Sequence, residues 1–268
     1  YRGCCHGCLY CDSRSACYQN PDFDTVKAKA DALRILRDDL ARKVRPAFIA
    51  TGAMSDPYNP FEASLQLTRH ALELIDAYQC GAAIATKSDL IVRDGDILYS
   101  IARHSPVICK LTITTTDDAM AARLEPGAPS PSRRLAALRE LADRGLFAGV
   151  LLMPVLPFLE DTEENVLEVV ERAAEAGASF VYPALGVTMR EGQREYFLQG
   201  LEDAFPGQGL RARYLRRYGD RYWCASPRAR RLWEVFSHRC GQLGMRYRME
   251  QIVSAATRDY GDRQLSFF

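Results

Sequence analysis

Short apolar runs alternating with helix-spaced segments predict an α/β protein built on parallel strands, wound as an open sheet or a full or partial barrel. Two further observations narrow the choice. No glycine-rich phosphate fingerprint opens any of the helices, which weighs against a dinucleotide-binding sheet. Small polar or charged residues also stand at the ends of successive strands, where a barrel carries its chemistry. A partial or full barrel is the expectation.

The elements follow in order. Residues 24–43 place Val26, Leu33, Leu36 and Leu40 on one helical stripe. The run 46–50 is short, apolar and followed by Thr51-Gly52, as a buried strand entering a loop should be. Residues 61–78 return to helical spacing and 81–86 read as a strand. A helix within 89–103, a strand within 107–114 and a helix within 132–145 come next. The most apolar strand is 146–153, ahead of a helix at 161–176 capped by Thr162 or Asp161, and a last strand at 179–183. The strand ends read 51–56, 86–88, 112–116 and 153–157. Any one of these loops reads equally well as helix capping. Their recurrence at successive strand ends points to a site. Past residue 185 the pattern stops, and helical spacing resumes at 191–205, 210–218 and 227–243. The expected organisation is a barrel over 1–185, a helical extension over 186–258 and a tail over 259–268.

Composition sets the class. The 268 residues are 47% hydrophobic and 26% charged, ordinary globular values that exclude wholesale disorder. Basic and acidic residues nearly cancel, 35 against 34, so the whole molecule is no polycation. No apolar run approaches the roughly 18 residues of a membrane helix, and no secretory signal is visible. Nine cysteines, four of them within the first eleven residues, are an odd and crowded set. A secreted disulfide scaffold would be smaller, even in count and more evenly spaced. Clustered thiols in a reducing compartment hold a metal more often than a disulfide, and the cytoplasm is the expected location.

The decisive feature is Cys4-x3-Cys8-x2-Cys11, with Tyr10 directly before the third cysteine. Three thiolates at this spacing suit an iron–sulfur cube, whose fourth iron they leave open. They also suit a structural zinc site with Cys17 as fourth ligand, because zinc takes a closed tetrahedron. Cys5 is poorly placed to help, since adjacent side chains point apart.

The segment 1–15 resembles the cysteine loop of radical S-adenosylmethionine enzymes, in particular the relatives of spore photoproduct lyase. The resemblance continues through Met54-Ser-Asp-Pro-Tyr58, Thr86-Lys-Ser88 with Arg93-Asp94, Glu125-Pro126 and Pro154-Val-Leu-Pro157. It implies a partial (β/α)6 barrel with a helical C-terminal extension, the barrel's first strand being expected before Tyr1. It further implies a [4Fe-4S] cluster on Cys4, Cys8 and Cys11, its open iron chelating S-adenosylmethionine. Reductive cleavage would then give a 5′-deoxyadenosyl radical that takes hydrogen from a substrate, with flavodoxin or ferredoxin as the kind of electron donor. Carried over by position, Tyr10 lies against adenine, Ser55 with the following Asp56 meets the cofactor, and Lys87 meets the methionyl carboxylate. Thr112 matches another cofactor-contacting hydroxyl, and Thr114 and Met153 join the set at their strand ends. Two departures matter. The lyase's hydrogen-donating cysteine is replaced by Ala53, and the tyrosine after its third cluster cysteine by Asp12. The lyase's radical return path cannot run as known, so repair of the spore thymine lesion by that route is not expected. Cys80, ahead of a strand, and Cys109, inside one, are poor substitutes, because a cysteine within a strand packs as a small hydrophobe. The catalytic residues stay unassigned.

Residues 207–250 hold eleven Arg, no Lys and three acids. Tyr214, Tyr218, Tyr222, Trp223, Trp233 and Tyr247 interleave with them. Cations with stacking platforms suit a nucleic-acid surface, and Arg190, Arg213, Arg216, Arg217, Arg221 and Trp223 are its candidates. Solvated helix faces over core aromatics would give the same count. The terminal Gln264, Leu265, Phe267 and Phe268 resemble the short tails that dock bacterial repair proteins and polymerases on the replicative sliding clamp; a segment folded onto its own core is the alternative. DNA, or another nucleic acid, is the expected substrate of a lesion-repair or modifying enzyme. A radical enzyme on a small metabolite or peptide and a zinc-stabilised DNA-associated adaptor are the alternatives.

Overall fold

A computed structural model describes residues 1–42 and 47–260. One sheet runs parallel throughout, its strands β1 (Phe48–Thr51), β2 (Gly81–Thr86), β3 (Val107–Thr112), β4 (Ala148–Leu152) and β5 (Phe180–Pro183) lying side by side in chain order. Helix α1 (Ala32–Arg42) precedes β1, and every crossover is helical, as parallel pairing requires. Helices α2 (Glu62–Leu65) and α3 (Leu67–Ala77) join β1 to β2, and α4 (Gly95–Ala102) joins β2 to β3. Helices α5 (Asp118–Leu124) and α6 (Pro131–Asp143) join β3 to β4, and α7 (Glu163–Glu175) joins β4 to β5. Among the described residues the sheet does not close: β1 and β5 are its edges. It is the partial barrel the sequence predicts, with five parallel strands among the described residues.

Strand alternation sorts the side chains onto two faces. Outward, Ile84, Cys109, Leu111, Val150, Leu152 and Val181 enter one core with the surrounding helices. The α7 contribution shows how: Val166, Val169 and Val170 recur at helical spacing and are fully buried, each worth about 1.5–3 kcal/mol. The Thr162 hydroxyl fixes the start of that helix by accepting from Asn165 N at 3.1 Å.

Several boundaries differ from the sequence reading. The helix expected from residue 24 begins at Ala32, because the preceding segment pairs back on the N-terminus through Arg2 N to Lys27 O (2.9 Å) and Lys27 N to Arg2 O (2.8 Å). Gly3, at φ +80°, allows that approach; a Cβ there would lie 2.3 Å from the Thr25 carbonyl oxygen. The expected helix 61–78 breaks at Gln66, where the buried Glu62 carboxylate accepts from Thr68 N at 3.0 Å and restarts the helix as α3. Residues 89–94 form 3-10 turns before α4. Helix α5 is additional to the sequence reading; Asp117 caps it, accepting from Ala119 N (2.9 Å) and Met120 N (3.0 Å).

Beyond β5 come α8 (Gln193–Ala204), α9 (Leu210–Tyr218), α10 (Ala229–Gln242) and α11 (Met249–Thr257), the last also additional. A small antiparallel pair, β6 (Gly186–Thr188) with β7 (Trp223–Ala225), stands beside the sheet. Helix α10 adds Leu232, Phe236 and Cys240 to the main core. Helix α11 covers the lower inner face of the sheet, its Ile252 and Ala256 packing on Ala83, Ile108 and Phe180. Among the described residues no helix is long and apolar enough to cross a membrane.

Candidate functional site

Above that plug, at the C-terminal ends of the strands, lies a cavity of about 580 Å³. The cysteine loop lines one side, the ends of β1 to β4 and the residues after them much of the rest, and Ala184, Gly186, Val187, Thr188 and Trp223 the remainder beyond β5. Cys4, Cys8 and Cys11 all face this space, with Tyr10, Ser55, Asp56, Lys87, Thr112 and Met153. The sequence-predicted residues thus converge from five separate segments.

Asp56 binds those segments together. Its carboxylate accepts from Thr86 Oγ1 (2.6 Å), Lys87 N (2.7 Å) and Tyr58 N (2.9 Å), and lies 3.2 Å from His6 Nε2. Burial pushes this carboxyl up, but His6, the Lys87 N–H and the Thr86 hydroxyl outweigh it and hold it below the usual carboxylate range. With its oxygens committed in this way, Asp56 positions the cysteine loop against the β1 and β2 ends. Gly52, at φ +90°, keeps the β1 end close to β2: a Cβ would meet the Ala85 carbonyl oxygen at 1.9 Å.

A second bracket holds Tyr10. Its hydroxyl donates to Glu125, whose other oxygen accepts from Arg134, and all three are buried. Arg134 also donates to the carbonyls of Thr112 (2.9 Å) and Pro129 (2.7 Å). Leu9 N to Leu124 O (2.9 Å) ties the cysteine loop to the same turn. The Lys87 ammonium lies 5.3 Å from the centre of the Tyr10 ring. Burial works against that charge, yet Cys8 and Glu125 outweigh it and raise Lys87 above the usual lysine range. Burial likewise pushes the Cys8 thiol up, with Lys87 pulling it back down.

Two expected members lie elsewhere. Thr114 is buried beyond the end of β3, where its side chain bonds Glu160 and its carbonyl accepts from Asn165 Nδ2 at 2.9 Å, so it turns away from the cavity. Cys17 is exposed and accepts from Arg190 Nη1 at 3.4 Å, outside the cavity lined by the other three thiols. It is not placed as a fourth ligand. No three His, Cys, Asp or Glu side chains among the described residues converge as ligands of a single ion. Cys80 precedes β2 and Cys109 faces the outer core, as expected of structural thiols. Lys110, unremarked in the sequence, also lines the cavity.

Of the arginine–aromatic set, Trp223 alone reaches the cavity lining, and it is 44% exposed. Arg190 sits on the neighbouring hairpin, paired with Asp12 (3.2 Å) and donating to Tyr222 Oη (2.9 Å). Arg213 stacks on Phe158, its guanidinium 4.4 Å from the ring centre. Arg216, Arg217 and Arg221 are exposed. Tyr214 and Tyr218 are not surface platforms. They are buried with Phe197 in an aromatic core beneath α9, with the half-buried Phe158 packed against them. The residues 264–268 expected to meet a clamp lie outside the described residues.

Known proteins with this architecture are clear. Spore photoproduct lyase in complex with a dinucleoside spore photoproduct superposes with a TM-score of 0.66 and 17% identity, over 90% of this chain and 72% of the lyase. A variant of that lyase with bound AdoMet and dinucleoside spore photoproduct gives 0.65 and 18% over the same shares. The chain has the fold of spore photoproduct lyase. In sequence the chain is 33% identical over 226 residues to the uncharacterized protein Rv2578c of Mycobacterium tuberculosis. These are 82% of this chain, which spans 66% of that relative's length. The uncharacterized protein MJ0683 of Methanocaldococcus jannaschii is 32% identical over 166 residues, 61% of each chain. No family model matches the chain.

Proposed function

We propose that this radical S-adenosylmethionine fold is an active enzyme whose cavity holds a [4Fe-4S] cluster on Cys4, Cys8 and Cys11 and S-adenosylmethionine beside it. One observation carries the reading: three thiols, one cationic lysine and one tethered tyrosine share a cavity at the strand ends of this fold. The donor set fits the group. Three thiols from one loop suit a cube with an open iron, and Cys17 is turned away from completing a closed site. When bound, the cluster supplies one electron for reductive cleavage of the sulfonium.

The chain's own residues do the rest. Lys87 is a point cation for the methionyl carboxylate, already biased toward its charged form. Glu125 fixes the Tyr10 ring so that one face is presented to the adenine. Ser55 and Thr112 offer hydroxyls at the rim, Met153 an apolar wall, and Asp56 keeps the loops in register. With the cluster and S-adenosylmethionine in place, the cavity would keep the reactive centre away from bulk water. Ala53 and Asp12 stand on the cavity wall where the lyase-type cysteine and tyrosine donors would be. The reaction we infer therefore ends differently from lesion repair with hydrogen return by that route.

A nucleic-acid substrate is the favoured class. Trp223 presents an indole at the cavity mouth, while Arg216, Arg217 and Arg221 are exposed and available to phosphates. The terminal tail 264–268 is proposed as a sliding-clamp anchor that would concentrate the enzyme on DNA.

The test is anaerobic reconstitution. Wild type should take up about four irons and cleave S-adenosylmethionine on reduction, and Cys8→Ala should lose both properties. Cleavage retained in Cys8→Ala would overturn the site, and stoichiometric zinc without iron would favour the adaptor. Deuterium carried into 5′-deoxyadenosine from labelled DNA, and not from small metabolites, would decide the substrate class.

A further inference from the structure

Lysine inside a parallel sheet needs a reason, because the burial of an ammonium disfavours its charge and both faces are usually apolar. Lys110 sits in the middle of β3, the central strand, between the outward-facing Cys109 and Leu111 of the main core. Its own parity places it on the inner face with Ile108 and Thr112. Ile108 packs on the α11 plug, and Thr112 lines the cavity near its rim. Lys110 is thus the residue of β3 where the plug ends and the cavity begins, two residues or about 7 Å below Thr112.

The neighbouring strands make room for it. Its register partners are Ala85 on β2 and Gly149 on β4, the two smallest side chains available. Gly149 cannot be larger: a Cβ there would lie 2.5 Å from the Phe180 carbonyl oxygen. Ala50 and Leu151 also line the cavity.

Its electrostatic surroundings set it apart from Lys87. Lys87 feels Cys8, Cys11 and Glu125, the thiols and carboxylate of the cofactor side. Among the described residues no carboxylate bears on Lys110; the Cys109 thiol is the one titratable neighbour, and burial lowers the lysine below its ordinary range. Two carboxylates line the cavity and both are engaged elsewhere: Asp56 by Thr86, Lys87 N, Tyr58 N and His6, and Asp12 by Arg190 (3.2 Å) and the Thr188 hydroxyl (3.0 Å). A cation facing open cavity space, without a counter-charge among the described residues, is completed by a ligand that brings one.

We propose that Lys110 is a substrate-specificity residue on the cavity floor, pairing with an oxyanion of the substrate, a phosphate or a carboxylate, while Lys87 serves the cofactor. The assignment rests on the radical S-adenosylmethionine reading for what fills the rim. It adds that the reacting molecule enters with an acidic group directed to the sheet. The step is binding alone and involves no transfer of electrons or atoms.

Competitive lysine acylation, read by peptide mass spectrometry on the reconstituted protein, tests it. S-adenosylhomocysteine should protect Lys87 and leave Lys110 reactive. In that complex at least one of three probes, inorganic phosphate, the dinucleotide TpT or succinate, should slow acylation of Lys110 about tenfold, the worth of one charge-assisted hydrogen bond. Protection by TpT would assign the oxyanion to a nucleic acid, and protection by succinate alone to a carboxylate. By calorimetry the protecting probe should bind Lys110→Met about tenfold more weakly and Lys110→Arg more tightly than Lys110→Met, with S-adenosylhomocysteine affinity retained in both. Protection of Lys110 by S-adenosylhomocysteine itself, or by none of the three oxyanions, overturns the proposal. Iron content and cleavage by wild type report separately on the underlying reading, so the two failures are distinguishable. Acylation of wild type needs no variant to fold.

Discussion

Glu125→Gln isolates one buried charge at the centre of the site. Glu125 and Arg134 have side chains 3% and 1% exposed, and the Tyr10 hydroxyl shares the same carboxylate. The amide keeps the shape and an acceptor oxygen but strands the Arg134 charge inside the protein. Removing one partner of a buried pair costs about 3–5 kcal/mol, a large part of the roughly 5–15 kcal/mol by which a domain is stable. With a urea slope of about 2–3 kcal/mol/M, the unfolding midpoint should fall by about 1–2 M at pH 7. Adding Arg134→Met should recover part of that loss by removing the stranded charge, though not the bonds to the Thr112 and Pro129 carbonyls. The pH dependence has a definite sign. Burial pushes the Glu125 carboxyl up, but Arg134, Lys87 and the Tyr10 hydroxyl outweigh it and hold the folded value below the unfolded one. Its contribution is therefore full above the unfolded carboxylate range and disappears as pH falls through the depressed folded value. The gap between wild type and variant should close in acid. A midpoint shift under about 0.3 M, or a double variant as unstable as the two single losses added, would refute the idea that the pair is a coupled buried charge.

Other outcomes follow from the same geometry. Lys87→Met should weaken S-adenosylmethionine binding by about 1.5–3 kcal/mol with iron content unchanged, as titration calorimetry and iron assay would show. Glu160, pushed by burial to about 8 against the pull of Thr114 and the Leu156 N–H, holds its proton far above the unfolded carboxylate value. The folded state then binds more protons, so wild-type stability should fall as pH rises toward about 8, and Glu160→Gln should flatten a melting-temperature profile over that range. Charge reversal at Arg216 and Arg217 should reduce the slope of log affinity against log salt for DNA, by about one unit for each phosphate left unneutralised. Deleting 264–268 should abolish capture by purified sliding clamp while leaving S-adenosylmethionine cleavage intact; equal capture of both forms would end the tail proposal.

What the sequence revealed about the site depended on how its parts are spaced along the chain. The cysteine loop and the residues at the strand ends were legible because each is a local signal: a fixed spacing of thiols, or a polar residue where an apolar run stops. Thr114 was misplaced by the same logic, since β3 stops at Thr112 and the chain has already turned toward Glu160. The Tyr10–Glu125–Arg134 bracket was not legible, because its tyrosine and carboxylate are 115 residues apart and nothing local marks them as partners. In α9 a local signal was present and competed with another. Tyr214 and Tyr218 stand four apart, one turn of a buried stripe, whereas Arg216 and Arg217 lie between them on the solvated side. Interleaving in sequence is then the mark of an amphipathic helix, and the exposed aromatics of the proposed surface shrink to Tyr222, Trp223 and Trp233.

Lys110 shows the remaining case, a signal that is present but legible only with parity. In Val107–Thr112 the residues Cys109 and Leu111 belong to the core, so a lysine between them must point the other way. In a two-sided sheet covered by helices on both faces, that position would be apolar. A charge there implies that the other face is open at that depth, which in a half-barrel means the floor of its cavity. Had α11 reached one layer higher, Lys110 would have been buried under Ile252 and no such residue could be tolerated without a partner. The place where the plug stops and the charge on the strand are thus two consequences of one constraint: the sheet's inner face must be filled below and wettable above. The height of that boundary fixes how deep a substrate can reach, and Lys110→Leu should raise stability while removing the polar floor. A urea midpoint higher than wild type, with calorimetric binding of the protecting oxyanion lost, is the expected pair of results. A lower midpoint would show instead that the ammonium is already satisfied within the protein, and the floor would then be structural.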